Sequence, residues 1–312
     1  MTGLYRFLRV WARLGLGLFA EKVSISRASD EALRPGVPVI LACNHPNSFL
    51  DAILMGVLHP RPMHFLARGD AFRKPWAARL LRAMGAIPVH RLSEGREHLH
   101  LNEETFEECT TLLKKGGTIL IFSEGLSAHG ETVRPLRKGT ARLAWLAWQE
   151  AELKQMLVQP VRLSYQSYTR VPKKAAIHYA SPMRLADGWP TDKPAHFYSA
   201  FNEVLYERLS EVPEENFRKS GSLFLKIALA PLAAVGFVIH AVYYFPIQNL
   251  VQRKTQDTVF YDSVLFGILL LTYPLFVFLL SGIAGWLGGW WLALTLLVLL
   301  PASALVLKWF RR

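Results

Sequence analysis

Two patterns of hydrophobic and polar positions divide the chain. Up to residue 209, short apolar runs alternate with amphipathic stretches; beyond residue 222, apolar tracts dominate. Residues 37–43 form an apolar, β-branched run of the kind that makes a buried strand. Similar runs predict strands over 63–67, 86–90, 118–122, 157–165 and 175–179. Helical spacing predicts helices over 49–58, 72–84, 97–115, 139–151 and 195–209. In the helix over 97–115 the apolar stripe is Phe106, Cys109 and Leu113, and Gly116-Gly117 stops it. Such alternation predicts an α/β fold: a mainly parallel mixed sheet covered by helices. No internal repeat or low-complexity tract interrupts it.

Both ends depart from this pattern. In residues 1–22, Leu4, Phe7, Leu8, Trp11, Leu14 and Leu18 follow helical spacing, with Arg6, Arg9 and Arg13 on another face. This predicts a basic amphipathic helix for a lipid interface, and a helix packed on the domain is the alternative. A signal peptide does not fit, because Arg9 and Arg13 interrupt its would-be apolar core. The α/β domain is expected over 23–209, a polar linker over 210–222, and a helical membrane region over 223–312. Residues 264–307 carry no charge and are about twice as long as the ~20 residues of one span. They predict a two-helix transmembrane hairpin turning near 285–289, with Trp286, Trp290 and Trp291 at an interface. Pro231 and Gly236 offer break points in 223–245, so that stretch is expected to be re-entrant or interfacial. Arg253, Lys254, Lys308, Arg311 and Arg312 then stay on the side of the α/β domain. That expectation puts the domain on the cytoplasmic face, at the inner membrane of a bacterial cell.

Charge and composition narrow the partners. The net charge is +12 and 51% of the residues are hydrophobic, a combination that suits a membrane lipid surface. There is no RNA-binding signature or zinc-finger spacing, so no nucleic-acid partner is expected. The two cysteines, Cys43 and Cys109, argue against a disulfide framework and fit a reducing compartment.

The candidate chemistry gathers at the predicted strand ends. Asn44-His45-Pro46-Asn47 breaks the first strand, placing His45 at its carboxyl end and Asp51 on the first turn of the next helix. An imidazole held by a carboxylate can take a proton from a hydroxyl. On spacing alone, a helix N-cap beside a surface histidine is the simpler reading, and His64 and Asp70 repeat the same spacing. However, Arg68, Arg91 and Glu124 also follow predicted strands. In a parallel sheet all four share the edge where open α/β folds bind ligands. Arg134, Arg137 and Lys138 add charge nearby. Together they suggest an anionic substrate with an exchangeable hydroxyl, although each arginine alone fits a solvated strand end. A membrane-anchored serine esterase or thioesterase using Ser127 in Gly125-Leu-Ser-Ala-His129 is one alternative. A non-catalytic membrane scaffold is another. Cys43 beside His45 offers a thiol nucleophile, but a small buried residue ending a strand is the simpler reading. His98 and His100 lack the rest of a zinc motif, so no metal is expected.

The chain resembles the glycerolipid acyltransferases, the lysophosphatidate and glycerol-3-phosphate acyltransferases. The likeness rests on four ordered blocks: Asn44-His45 with Asp51, residues 85–91, Phe122-Ser-Glu-Gly125, and Val158-Gln-Pro160-Val161. Five residues separate His45 from Asp51 where the family usually has four. Ser123-Glu124-Gly125-Leu126-Ser127 stands where the family usually has Pro-Glu-Gly-Thr-Arg. A subgroup of glycerol-3-phosphate and dihydroxyacetone-phosphate acyltransferases shares both departures. The resemblance implies that His45 is the base, that Asp51 fixes its tautomer, and that Arg91, Glu124 and Gly125 bind the phosphate of a phosphorylated glycerol acceptor. Arg68 and Lys138 are added from their place on the basic edge. The implied donor is an acyl thioester, acyl-CoA or acyl carrier protein, with no further cofactor.

Overall fold

A computed structural model describes residues 2–90, 101–211 and 223–310. The helices are α1 (Gly3–Phe19), α2 (Ser48–Leu58), α3 (Pro75–Ala83), α4 (Leu101–Lys114), α5 (Lys138–Gln149), α6 (Pro194–Ser210), α7 (Leu223–Lys254), α8 (Tyr261–Gly288) and α9 (Trp290–Phe310). The strands are β1 (Ala20–Arg27), β2 (Val39–Cys43), β3 (His64–Arg68), β4 (Ala86–Val89), β5 (Thr118–Phe122), β6 (Leu157–Tyr165) and β7 (Lys173–Tyr179). They form one seven-stranded sheet in the order β1-β7-β6-β2-β5-β3-β4. Pairings from β6 through β4 are parallel, β6 and β7 run antiparallel, and β7 and β1 run parallel. The expected α/β class therefore holds.

The apolar runs became the central strands because both faces of the sheet are covered. All five residues of β2 are buried. Ile40 and Ala42 face one core with Cys109, Leu113, Trp148 and Phe201 from α4, α5 and α6. Val39, Leu41 and Cys43 face the other, with Met55 of α2. A strand buried on two sides reads as continuous apolar sequence, which is how parallel strands differ from half-solvated ones.

Three expectations about the ends need correction. The N-terminal helix stops at Phe19, and Ala20 already begins β1, an edge strand with only Ala20 fully buried. Edge position lets it be too polar to stand out from its surroundings. The helix expected over 72–84 starts at Pro75, after a short 3₁₀ turn over Gly69–Phe72, since proline's fixed φ suits the first helical turn. The breaks expected at Pro231 and Gly236 are missing: α7 runs unbroken for 32 residues. Gly236 instead lets α9 approach, since a Cβ there would meet Ser303 Cβ at 2.9 Å. α7, α8 and α9 are each long and apolar enough to cross a membrane, and Gly289, at φ +88°, turns α8 into α9. Of the linker expected over 210–222, Ser210 still belongs to α6, and residues 212–222 lie outside the described residues.

The contacts fix how this region meets the α/β domain. Val251 near the end of α7 and Tyr261, Leu265 and Phe266 at the start of α8 pack with Leu16, Phe19, Leu50 and Leu54. Lys308 near the end of α9 donates to the Gly17 carbonyl. Along α1, Leu4, Phe7, Val10 and Leu14 remain exposed, while Tyr5, Leu16 and Phe19 are buried. The helix thus packs by one side and leaves four large apolar residues outward.

Candidate active site

The turn after β2 is held from several directions. The Asn44 side chain donates to the Leu163 carbonyl (2.9 Å) and accepts from the Leu163 N–H (2.7 Å), tying the end of β2 to β6. His45 Nδ1 lies 2.9 Å from Asp51 Oδ2. The same oxygen accepts from the Asn47 N–H at 2.7 Å. Asp51 Oδ1 accepts from the Tyr165 hydroxyl at 2.6 Å. The Asp51 side chain is fully buried and that of His45 is 16% exposed. The imidazole stacks on Phe122, with centroids 3.8 Å apart and planes 11° apart. Asp51 therefore fixes Nδ1 as the protonated nitrogen and leaves Nε2 as the free base. The helix N-cap reading is partly right as well. Asn47 is the N-cap of α2, but its own side chain does not cap. Ser127 Oγ accepts from the Ser48 N–H (2.8 Å) and Ser263 Oγ from the Leu50 N–H (3.0 Å).

The other candidate residues fall out differently. Glu124 is buried, and its two oxygens accept from the His45 N–H (3.3 Å) and the Arg134 N–H (3.0 Å). Burial pushes its carboxyl up, against the opposing pull of those amides and of Arg134 and His45. Both oxygens accept from backbone, so Glu124 ties the turn after β2 to the loop carrying Arg134. Gly125 turns the chain at φ +71°, and a Cβ there would come within 2.8 Å of Arg137 Cγ. Arg68 ends β3 on the same sheet edge, but its guanidinium is held by Asp70, with Nε 3.1 Å from Oδ1. Lys138 is exposed at the first turn of α5. Arg91, His98 and His100 lie outside the described residues. Among the described residues, no cluster of three His, Cys, Asp or Glu side chains could hold a metal.

Neither alternative nucleophile is arranged as one. Ser127 Oγ serves the α2 amide, and the neighbouring His129 stacks on Tyr168 at 4.3 Å. Cys43 is fully buried, and burial followed by the Asp51 charge pushes its thiol well up. The sequence reading missed Tyr165, Asn47, Ser263, Asp262 and Lys173. The last two form an ion pair against Asn47, whose side chain donates to Asp262 Oδ2 at 2.8 Å.

The fold is thus a helix-covered, mainly parallel α/β domain with a histidine–aspartate pair at the carboxyl edge of its sheet. Residues 25–164 match the family model described as Acyltransferase, and this stretch is similar to the glycerolipid acyltransferases. It is 33% identical over 161 residues to a lyso-ornithine lipid O-acyltransferase of Pseudomonas aeruginosa, covering 51% of this chain and 54% of that one. It is 27% identical over 160 residues to a protein of the same name from Brucella abortus, covering 51% and 55%. Over 106 residues it is 27% identical to a 1-acyl-sn-glycerol-3-phosphate acyltransferase of Bacillus subtilis, covering 34% and 48%. The chain thus spans about half the length of the curated relatives it matches. The crystal structure of the 1-acyl-sn-glycerophosphate acyltransferase PlsC of Thermotoga maritima aligns over 69% of this chain and 81% of that one. Its TM-score is 0.48 and its identity 16%.

Proposed function

We propose that this chain is a membrane-bound O-acyltransferase. It moves a fatty acyl group from acyl-CoA or acyl carrier protein to a hydroxyl of glycerol-3-phosphate or 1-acylglycerol-3-phosphate in glycerophospholipid synthesis. The observation that carries this reading is the His45–Asp51 contact at the carboxyl edge of the sheet. His45 Nε2 takes the proton of the acceptor hydroxyl, and the buried Asp51 stabilises the imidazolium. The alkoxide adds to the thioester carbonyl, the C–S bond of the tetrahedral intermediate breaks, and the thiolate leaves. A thiol with a reference pKa of about 8.5 is a good leaving group, and His45 returns the proton to it. Arg91 is assigned to the acceptor phosphate, with the exposed Lys138 as additional charge. The catalytic domain sits on the cytoplasmic face, with α1 against the membrane.

A second reading concerns the acceptor alone. Two relatives are named lyso-ornithine lipid O-acyltransferases, and this chain has Leu126-Ser127 where the family usually carries Thr-Arg. That departure is compatible with an acceptor without phosphate, and equally with the glycerol-3-phosphate subgroup that shares it. Purified protein with labelled palmitoyl-CoA and glycerol-3-phosphate, 1-acylglycerol-3-phosphate or lyso-ornithine lipid separates the two. Acceptor-dependent product from a phosphorylated glycerol supports the first reading. Product from lyso-ornithine lipid alone supports the second. Thioester hydrolysis indifferent to every acceptor would sink both.

A further inference from the structure

We propose that the Asp262–Lys173 ion pair, which lies beyond the stretch matched by the family model, is a positioning element of the His45–Asp51 site and sets the fixed charge beside it. The proposal rests on the reading of His45 as the base. Its geometry runs through Asn47. The Asn47 backbone N–H donates to Asp51 Oδ2 (2.7 Å), the oxygen that faces His45 Nδ1. The Asn47 side chain donates to Asp262 Oδ2 (2.8 Å), the oxygen that pairs with Lys173. A single residue thus bridges two buried carboxylates. Next to it, Ser263 Oγ accepts the Leu50 N–H (3.0 Å), so two consecutive residues of α8 hold the first turn of α2. Asp262 stands in the first turn of α8, where a helix favours negative charge.

Burial gives the pair its reach. The Asp51 and Asp262 side chains are fully buried and that of Lys173 is 3% exposed. Charges held away from water interact far more strongly than solvated ones. Lys173 also donates to the Ser167 carbonyl at 3.0 Å, and burial pulls its ammonium down against the opposing pull of Asp262. With both carboxylates ionised and Lys173 protonated, the cluster carries one net negative charge beside neutral His45. The proton taken by His45 then neutralises it. Other groups face the site: Glu124 and Arg134 from the turn after β5, and His129, which lies near both Lys173 and Asp51. Tyr165, Tyr168 and Arg162 face it from β6 and the loop beyond. All of these stay in place when only the ion pair is altered.

The test is the pH profile of kcat/KM for the full-length protein in detergent, with palmitoyl-CoA and whichever acceptor the panel identifies. The acid limb reports the base of the free enzyme. Asp262→Asn leaves the Lys173 charge unbalanced and should move the acid limb to lower pH, by on the order of one unit. Lys173→Met leaves two carboxylates and should move it to higher pH by a similar amount. The double variant removes both charges and should return the limb toward wild type. Single variants whose limbs coincide with wild type, or move the same way, overturn the proposal even if kcat falls. Where a single variant fails to fold, Asp262→Glu keeps the charge but displaces the carboxylate. It should lower kcat with an unmoved limb and an unchanged KM for the thioester, and a wild-type kcat would overturn the proposal. Full activity of His45→Ala would instead remove the reading beneath it.

Discussion

Tyr165 and Asp51, 114 positions apart in the sequence, meet at 2.6 Å, the phenol of β6 donating to the carboxylate of α2. The phenol is buried, and burial together with the Asp51 charge pushes its pKa well up, so it stays a donor throughout the working pH range. Asp51 thus accepts from Tyr165, from the Asn47 amide and from His45, so the hydrogen-bonding capacity of a fully buried carboxyl is met inside the protein. His45→Ala should abolish acyl transfer. Asp51→Ala should lower kcat by on the order of 10² to 10⁴-fold. Tyr165→Phe should keep more activity than either and lose stability by about 1.5–3 kcal/mol, the worth of a hydrogen bond to a charged group. Acyl transfer from labelled palmitoyl-CoA and unfolding in the same detergent measure both effects. A His45→Ala protein at near wild-type rate rules out the mechanism.

Ser127 and Cys43 should be dispensable for chemistry. Ser127→Ala loses the acceptor for the Ser48 amide, worth about 1 kcal/mol as a helix cap, and should retain most of its acyl transfer. Cys43→Ala leaves a small void in a closed core and should likewise remain active. A folded Ser127→Ala protein with no thioester turnover would favour the serine hydrolase reading instead.

The acceptor phosphate gives a kinetic split. A guanidinium fork matches phosphate oxygens. Arg91→Ala should therefore raise KM for a phosphorylated acceptor several-fold more than KM for the acyl donor. Equal changes in the two KM values would assign Arg91 to the protein's own structure.

Acid should destabilise the fold through His59. It is fully buried at the end of α2, with Nδ1 3.0 Å from the Tyr179 hydroxyl. Burial, then the Arg61, Arg9 and Arg27 charges, lowers its pKa from 6.5 to about 3. The folded form stays neutral where the unfolded chain takes a proton. The stability it confers is complete above about pH 6.5 and is lost as pH falls toward 3, by about 1.4 kcal/mol per unit. His59→Gln should flatten the fall in urea midpoint between pH 6.5 and 4. An unchanged slope would assign the acid sensitivity to other groups.

Much of the sheet and half of the site can be read from the sequence, for identifiable reasons. β5 and β6 fall on their expected residues because strands buried on both faces leave uninterrupted apolar runs. β1 did not stand out, since an edge strand paired only with β7 has little to bury. His45 and Asp51 lie close in sequence and announce themselves by local spacing. Tyr165, Lys173 and Asp262 sit in unrelated elements and meet only through the tertiary fold, so no local pattern marks them. Arg68 carries the opposite lesson. The edge was correctly inferred, but Asp70, two residues on, already holds its charge.

The membrane topology follows from parity. Leu209, at the end of α6, is buried in the α/β core, with its carbonyl accepting from Arg162 at 3.1 Å. Val251, at the end of α7, is buried against Leu50 and Phe19 of the same domain. Both ends of the segment between them therefore lie on one side of the membrane, and an even number of crossings separates them. α7 is one unbroken helix, so a single full crossing by it would require residues 212–222 to cross as well. That stretch carries Glu214, Glu215, Arg218 and Lys219, and each charge at mid-bilayer costs about 2.5–3.5 kcal/mol or more. If those charges stay out of lipid, α7 is predicted to enter lipid without completing a crossing, although it packs along the middle of α8 and α9 through His240–Tyr273, Tyr243–Thr272 and Gly236–Ser303. α8 starts beside Asn47, which bonds Asp262, and α9 ends beside Gly17, which accepts from Lys308, so these two can cross as a pair around Gly289. Reporter fusions at residues 222, 254 and 312 should all face the catalytic domain's side, and one at 288 the far side. An outward-facing reporter at 222 or 254 would overturn this topology.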